Sequence, residues 1–206
     1  MPVKPIIDFF RSGPEKRAAA DLYDSVVAAA RRPALYETGG VADTVDGRFD
    51  MIALHAFLLF RRMSGAPGWQ AVGDELANHI MKDMDRSLRE MGVGDMSVGK
   101  KMKKLAQAFY GRLDAYWGAL KADRPDALEE VLVRNVYRDP DMDEARRARA
   151  AACLATYCRA QMDHLANEPT AAILAGRVGF ADADAVLPGA GAGTVPDKPD
   201  RKEAAE

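Results

Sequence analysis

Apolar residues recur along most of this chain at alternating steps of three and four, the spacing of one helical face. The clearest run is Val98, Met102, Leu105, Phe109, Leu113, Tyr116 and Leu120, which predicts an amphipathic helix over residues 97–121. An earlier segment, FDMIALHAFLLFRRM, is apolar nearly all round over residues 49–60. A helix without a polar face belongs inside a bundle, and this one is too short to cross a bilayer. Leu22, Val26 and Ala29, with Tyr23 and Ala30 alongside, line the inner face of a first helix over 14–32. Pro14 suits its first turn and Pro33 stops it. Similar patterns predict helices over 70–91, 126–138 and 142–167, and TAAILAGRVGF adds a short last one. Alternating β-branched runs are nearly absent, so strands are not expected. The pattern predicts an all-α fold: one compact multi-helix bundle around a buried central helix.

Turn residues divide these segments. Gly39-Gly40 and Asp46-Gly47 mark turns in the connector before the central helix, where Asp46 or Asp50 is placed to cap it. Gly92 and Gly94 end the helix before residue 92. Residues 188–206 hold little but Gly, Ala, Pro and charge, which predicts a disordered C-terminal tail. The chain therefore divides into an N-terminal extension (1–13), a helical domain (14–187) and the tail (188–206). The extension carries IIDFF, an apolar run too short for a secretory leader and broken by Asp8. It reads as a packed N-terminal turn, with a membrane surface or a partner groove as the alternative.

Composition narrows the function classes. The 206 residues suffice for one full hydrophobic core. Lys plus Arg number 29 against 31 Asp plus Glu, a formal charge of -2. That balance excludes DNA binding by the surface as a whole and leaves recognition to local patches. No apolar run is long enough for a membrane span. Cys153 and Cys158 are five apart, which fits neither C-x-x-C nor a zinc pattern. They read as reduced, packed thiols of a cytoplasmic protein.

The stretch EMGVGDMSVGKKMKK offers the one apparent nucleotide motif. Gly94, Gly99 and Lys100 match G-x-x-x-x-G-K. A phosphate loop also needs a preceding strand and a Ser or Thr after the Lys. Here a helical segment precedes and Lys101 follows, so a helix–corner–helix is expected instead, with Ser97 capping the second helix. Lys100, Lys101, Lys103 and Lys104 crowd its first turns, where the helix dipole disfavours cations. They form either a solvated face or a basic edge for an acidic partner, an anionic membrane surface or RNA.

Other chemistry is sparse. Asp83-x-Asp85 fails as a calcium loop because Leu88 stands where Gly is required. Asp83 with Arg86, Asp85 with Arg89, and Arg86 with Glu90 have helix-surface ion-pair spacing. His55 lies in the apolar helix and reads as a satisfied core histidine. No H-E-x-x-H, G-x-S-x-G or G-x-G-x-x-G occurs, so no enzyme activity, metal or cofactor is expected.

Four stretches taken together resemble the ubiquinol–cytochrome c chaperone family. They are LYDSVVAAARRP, VADTVDGRFDMIALH, DMDRSLREMGVGDMSVGKKMKKLAQAFYGRLDAY and RNVY, within residues 22–180. Leu35 replaces an expected aromatic, and Ala42 an expected proline. The resemblance implies an all-helical assembly chaperone that holds newly made cytochrome b, a membrane subunit of the reductase. It also implies a possible contact with the ribosome and a cytoplasmic location, peripheral at the inner membrane. Such a chaperone needs an apolar groove with a charged rim. The rim is expected from Asp46, Arg48, Asp50, Asp83, Asp85, Arg89, Lys100, Lys101, Lys103 and Lys104. Met81, Met84, Met91, Met96 and Met102 crowd the same corner, as adaptable binding surface or as core.

Overall fold

A computed structural model describes residues 13–122 and 124–187, apart from the side chain of Met96. The extension and tail outlined above lie outside these residues, save Gly13. The described chain is all helical: α1 (Pro14–Ala30), α2 (Pro33–Glu37), α3 (Val45–Met63), α4 (Trp69–Glu90), α5 (Asp95–Lys121), α6 (Ala127–Asn135), α7 (Glu144–Ala166), α8 (Thr170–Leu174) and α9 (Ala183–Val186).

The central helix is α3, which packs against α1, α5 and α7. Leu54, Phe57, Leu58, Leu59 and Met63 are all buried along it. Each fully buried Leu or Phe contributes roughly 2 kcal/mol of transfer free energy. α4 closes the bundle against α1 and α5, and α6 bridges α5 and α7. On α5 the expected stripe faces inward: Val98, Phe109, Leu113 and Tyr116 are buried, and Met102, Leu105 and Leu120 pack at the core's edge.

Several local expectations are corrected. Pro33 does not simply end the first helix; it opens α2, because proline's fixed φ suits a first helical turn. Thr44, rather than Asp46 or Asp50, caps α3, its Oγ1 accepting from the Gly47 amide at 3.1 Å. Gly47 is helical, and its missing side chain is required. A Cβ there would lie 1.9 Å from the Ala42 carbonyl oxygen.

At the α4–α5 corner Gly92 alone has positive φ, at 80°. Its amide donates to the Arg89 carbonyl, and the Val93 amide donates to that of Leu88, which closes α4 in a Schellman turn. Gly94 has φ −65° and caps α5, while Gly99 is inside the helix. Ser97 donates to the Gly94 carbonyl at 3.1 Å instead of accepting from backbone amides. A phosphate loop is thereby excluded, since the Gly–Lys pair sits on a continuous helix with no strand before it.

Candidate functional site

The corner opens onto a groove of about 800 Å³ between the start of α3, the end of α4 and the start of α5. Its apolar surface comes from Val45, Phe49, Met84, Leu88, Met91 and Leu105. Val45 and Met91 are 62% and 51% exposed, two of the three large apolar side chains most open to solvent among the described residues. Exposed apolar side chains grouped in one concavity mark an interaction surface more than singly scattered ones do.

Charge surrounds this strip unevenly. Arg31, Arg48, Lys101, Lys104, Arg112 and Arg138 line it, against Asp46, Asp83 and Glu90. Helical geometry explains which lysines take part. Lys101, Lys104, Leu105, Ala108 and Arg112 share one face of α5 at steps of three and four. Lys100 and Lys103 are exposed but lie outside the groove lining. The four lysines therefore form two sets.

Beneath the groove lies a buried ion cluster. Asp50 is fully buried. Its Oδ1 accepts from Arg112 Nε at 2.7 Å and lies 2.6 Å from Nη2 of the same ion pair, and its Oδ2 accepts from Arg138 Nη2 at 2.8 Å. Burial pushes the Asp50 carboxyl up to about 6, while the two guanidinium groups pull it down. It remains ionised at neutral pH. Arg112 also donates to the Ala108 carbonyl at 3.1 Å and lies over the Phe49 ring, 4.8 Å from its centre. Arg138 follows α6 and is held in place by its neighbour. The Tyr137 hydroxyl donates to the Gly39 carbonyl at 2.6 Å, tying this loop to the segment before α3.

The expected rim residues are thus dispersed. Asp46, Arg48, Asp83, Lys101 and Lys104 line the groove. Arg48 pairs with Asp43 at 2.7 Å, and Asp83 accepts from both Tyr23 and Arg86. Asp85 and Arg89 pair with each other outside the lining, and Arg89 also bonds Asp95 across the corner. Asp50 is not in the lining; it lies behind Arg112 and Arg138, which are.

Sequence reasoning missed Arg112 and Arg138. The signal for Arg112 was available: it falls between Phe109 and Tyr116 on the inward stripe of α5, where a cation requires a buried partner. Asp50 in the apolar α3 segment was the matching half. Arg138 had no such signal, because its placement depends on a loop contact distant in sequence.

Comparisons with known proteins give the family of the chain. Residues 37–180 match the family model described as ubiquinol-cytochrome C chaperone. No curated protein matches significantly. Among solved structures, the crystal structure of the Cbp3 homolog from Brucella abortus superposes with a TM-score of 0.73 at 38% identity, covering 88% of this chain and 99% of that one. The family match spans α3 to α8 and so contains nearly all of the groove's residues. The chain belongs to the ubiquinol–cytochrome c chaperone family.

Proposed function

We propose that this protein is a non-enzymatic assembly chaperone for ubiquinol–cytochrome c reductase, that it binds the newly made cytochrome b subunit, and that the groove is the client site. The observation that carries this reading is the pairing of exposed Val45 and Met91 with a charged rim in one concavity. An unassembled membrane subunit presents apolar segments that need cover, and a flexible methionine adapts to varied side chains. Asp46, Arg48, Asp83, Lys101 and Lys104 would orient the client at the rim, with Asp50 acting from below. The working unit is the helical domain, residues 14–187. No helix among the described residues is long and apolar enough to cross a membrane. We place the protein in the cytoplasm, meeting its client at the face of the inner membrane.

The test is photo-crosslinking from Val45 and Met91 in cells assembling the reductase. Cytochrome b should be the main crosslinked product, and deleting the gene should lower assembled reductase. Normal reductase levels in the deletion strain would sink this reading.

A second reading, ribosome contact near the exit site, is favoured by Lys100 and Lys103, which are exposed and outside the groove. Changing both to Glu should weaken ribosome co-sedimentation in a salt-dependent way. Unchanged sedimentation rejects it.

A further inference from the structure

We propose that Arg138 is the anchoring cation of the groove and that its ligand is a carboxylate borne at the edge of an apolar peptide segment of the partner. This rests on the reading of the groove as a protein-binding site. Arg112 is committed: Nε donates to Asp50, with Nη2 in ion-pair contact with the same oxygen, and Nη1 donates to Ala108. Arg138 gives Nη2 to Asp50 and makes no other hydrogen bond among the described residues. It lines the groove, and its side chain is 44% exposed. A guanidinium held through one Nη keeps its other donors in a planar fork, the geometry that suits a carboxylate. Asp50 is thus a positioning residue: it holds Arg138 from below without meeting the ligand.

The surrounding field has the same sign. Asp50 offsets one of the two guanidinium charges above it. Arg31, Lys101 and Lys104 form no ion pair among the described residues, whereas the lining carboxylate Asp83 is already bonded to Tyr23 and Arg86. An acidic group on the partner finds complementary charge, and a basic one is repelled. The apolar strip beside Arg138 takes the side chains next to that acid. A peptide fits this better than an anionic membrane. The cations lie in a concave groove, which a peptide segment enters and the flat face of a bilayer does not follow.

The test uses the full chain and synthetic amphipathic peptides that share one apolar face and carry Glu, Gln or Lys at its edge. Vesicles of anionic phospholipid serve as a further probe. The Glu peptide should bind at least about tenfold more tightly than the Gln peptide, as expected for one charge-assisted contact. Arg138→Gln should remove that preference, and Arg138→Lys should restore part of it. The Nε–H resonance of Arg138 in the unaltered chain should shift with the Glu peptide and not with the Gln peptide, a readout that does not depend on any variant folding. Equal affinities, no binding of the Glu peptide, a preference that survives Arg138→Gln, an unmoved Arg138 resonance, or Arg138-dependent binding to vesicles alone would each overturn the proposal. Peptides covering cytochrome b separate it from the client assignment. Acid-selective binding without capture of any cytochrome b peptide leaves the anchor standing and removes the client. Capture of cytochrome b peptides regardless of their acids does the reverse.

Discussion

His55 is a fully buried histidine kept neutral by its surroundings. Its Nδ1–H donates to the Met51 carbonyl at 2.8 Å, so Nε2 accepts from the Tyr157 hydroxyl at 2.7 Å. Burial pushes its pKa down from 6.5 to about 4. The unfolded chain therefore takes up this proton first as pH falls. Stability is fully present above the unfolded value and is lost as pH drops toward the folded one. The loss should reach about 3 kcal/mol, and urea midpoints at neutral and mildly acidic pH should show it. A His55→Gln variant should lack this part of the pH dependence. Tyr116 poses the opposite case. Its hydroxyl is buried with no hydrogen-bond partner among the described residues. Tyr116→Phe should keep the packing against Phe57 and raise stability by up to about 1 kcal/mol, read as a higher midpoint.

At the scale of elements, two glycines within the family-like blocks should respond with opposite signs. Gly47→Ala would drive a Cβ into the Ala42 carbonyl at the start of α3. A loss of roughly 2 kcal/mol or more is expected, because backbone must move. Gly99 in α5 has no atom within 4 Å of the added Cβ. Gly99→Ala should raise the melting temperature, by about 1 kcal/mol equivalent, through helix propensity alone. Thermal melts of the two variants check both. The turn at Gly92 has a different logic. There the positive φ is real, and the corner that forms one wall of the groove depends on it.

Across the whole molecule, the C-terminal described segment is tied back to the central helix by Arg62, and by the Phe180 ring packed edge-on against His55. Arg62 Nε donates to the Leu165 carbonyl at 2.7 Å, and Nη2 donates to the Glu168 carbonyl at 2.6 Å and Thr170 Oγ1 at 3.2 Å. Gln161 fixes the next stretch, exchanging two hydrogen bonds with the Ala181 backbone at 2.7 and 2.9 Å. Arg62→Ala should cost roughly 2 kcal/mol, since charge-assisted bonds to the end of α7 are lost. Hydrogen exchange should speed up in α8 and α9 while α3 stays protected. Uniform acceleration across the chain would show that Arg62 instead supports the entire core. The groove lies at the other end of α3, so peptide binding should survive this change.

The helical class, the buried α3 and the inward stripe of α5 were legible in the chain because they follow from local periodicity. Residues three and four apart share a face whatever surrounds them. The ion pairs of α4 and the satisfied His55 were legible for the same reason, being reached within one or two turns or implied by an apolar segment. Helix ends were less so: Thr44 rather than Asp46 or Asp50 caps α3, a choice made by how the chain enters the helix. The sequence by itself thus determined the elements, the core and, through resemblance, the family. Tertiary structure alone decided which charges meet. Asp50, Arg112 and Arg138 come from three elements far apart in sequence, and only the packing of α3 against α5 with the Tyr137 tether brings them together. It also chose between the lysines: helical spacing puts Lys101 and Lys104 on one face of α5, and the packing of the bundle turns that face to the groove and leaves Lys100 and Lys103 outside it. Spacing along one helix gives a face; which partner that face meets is a property of the assembled bundle.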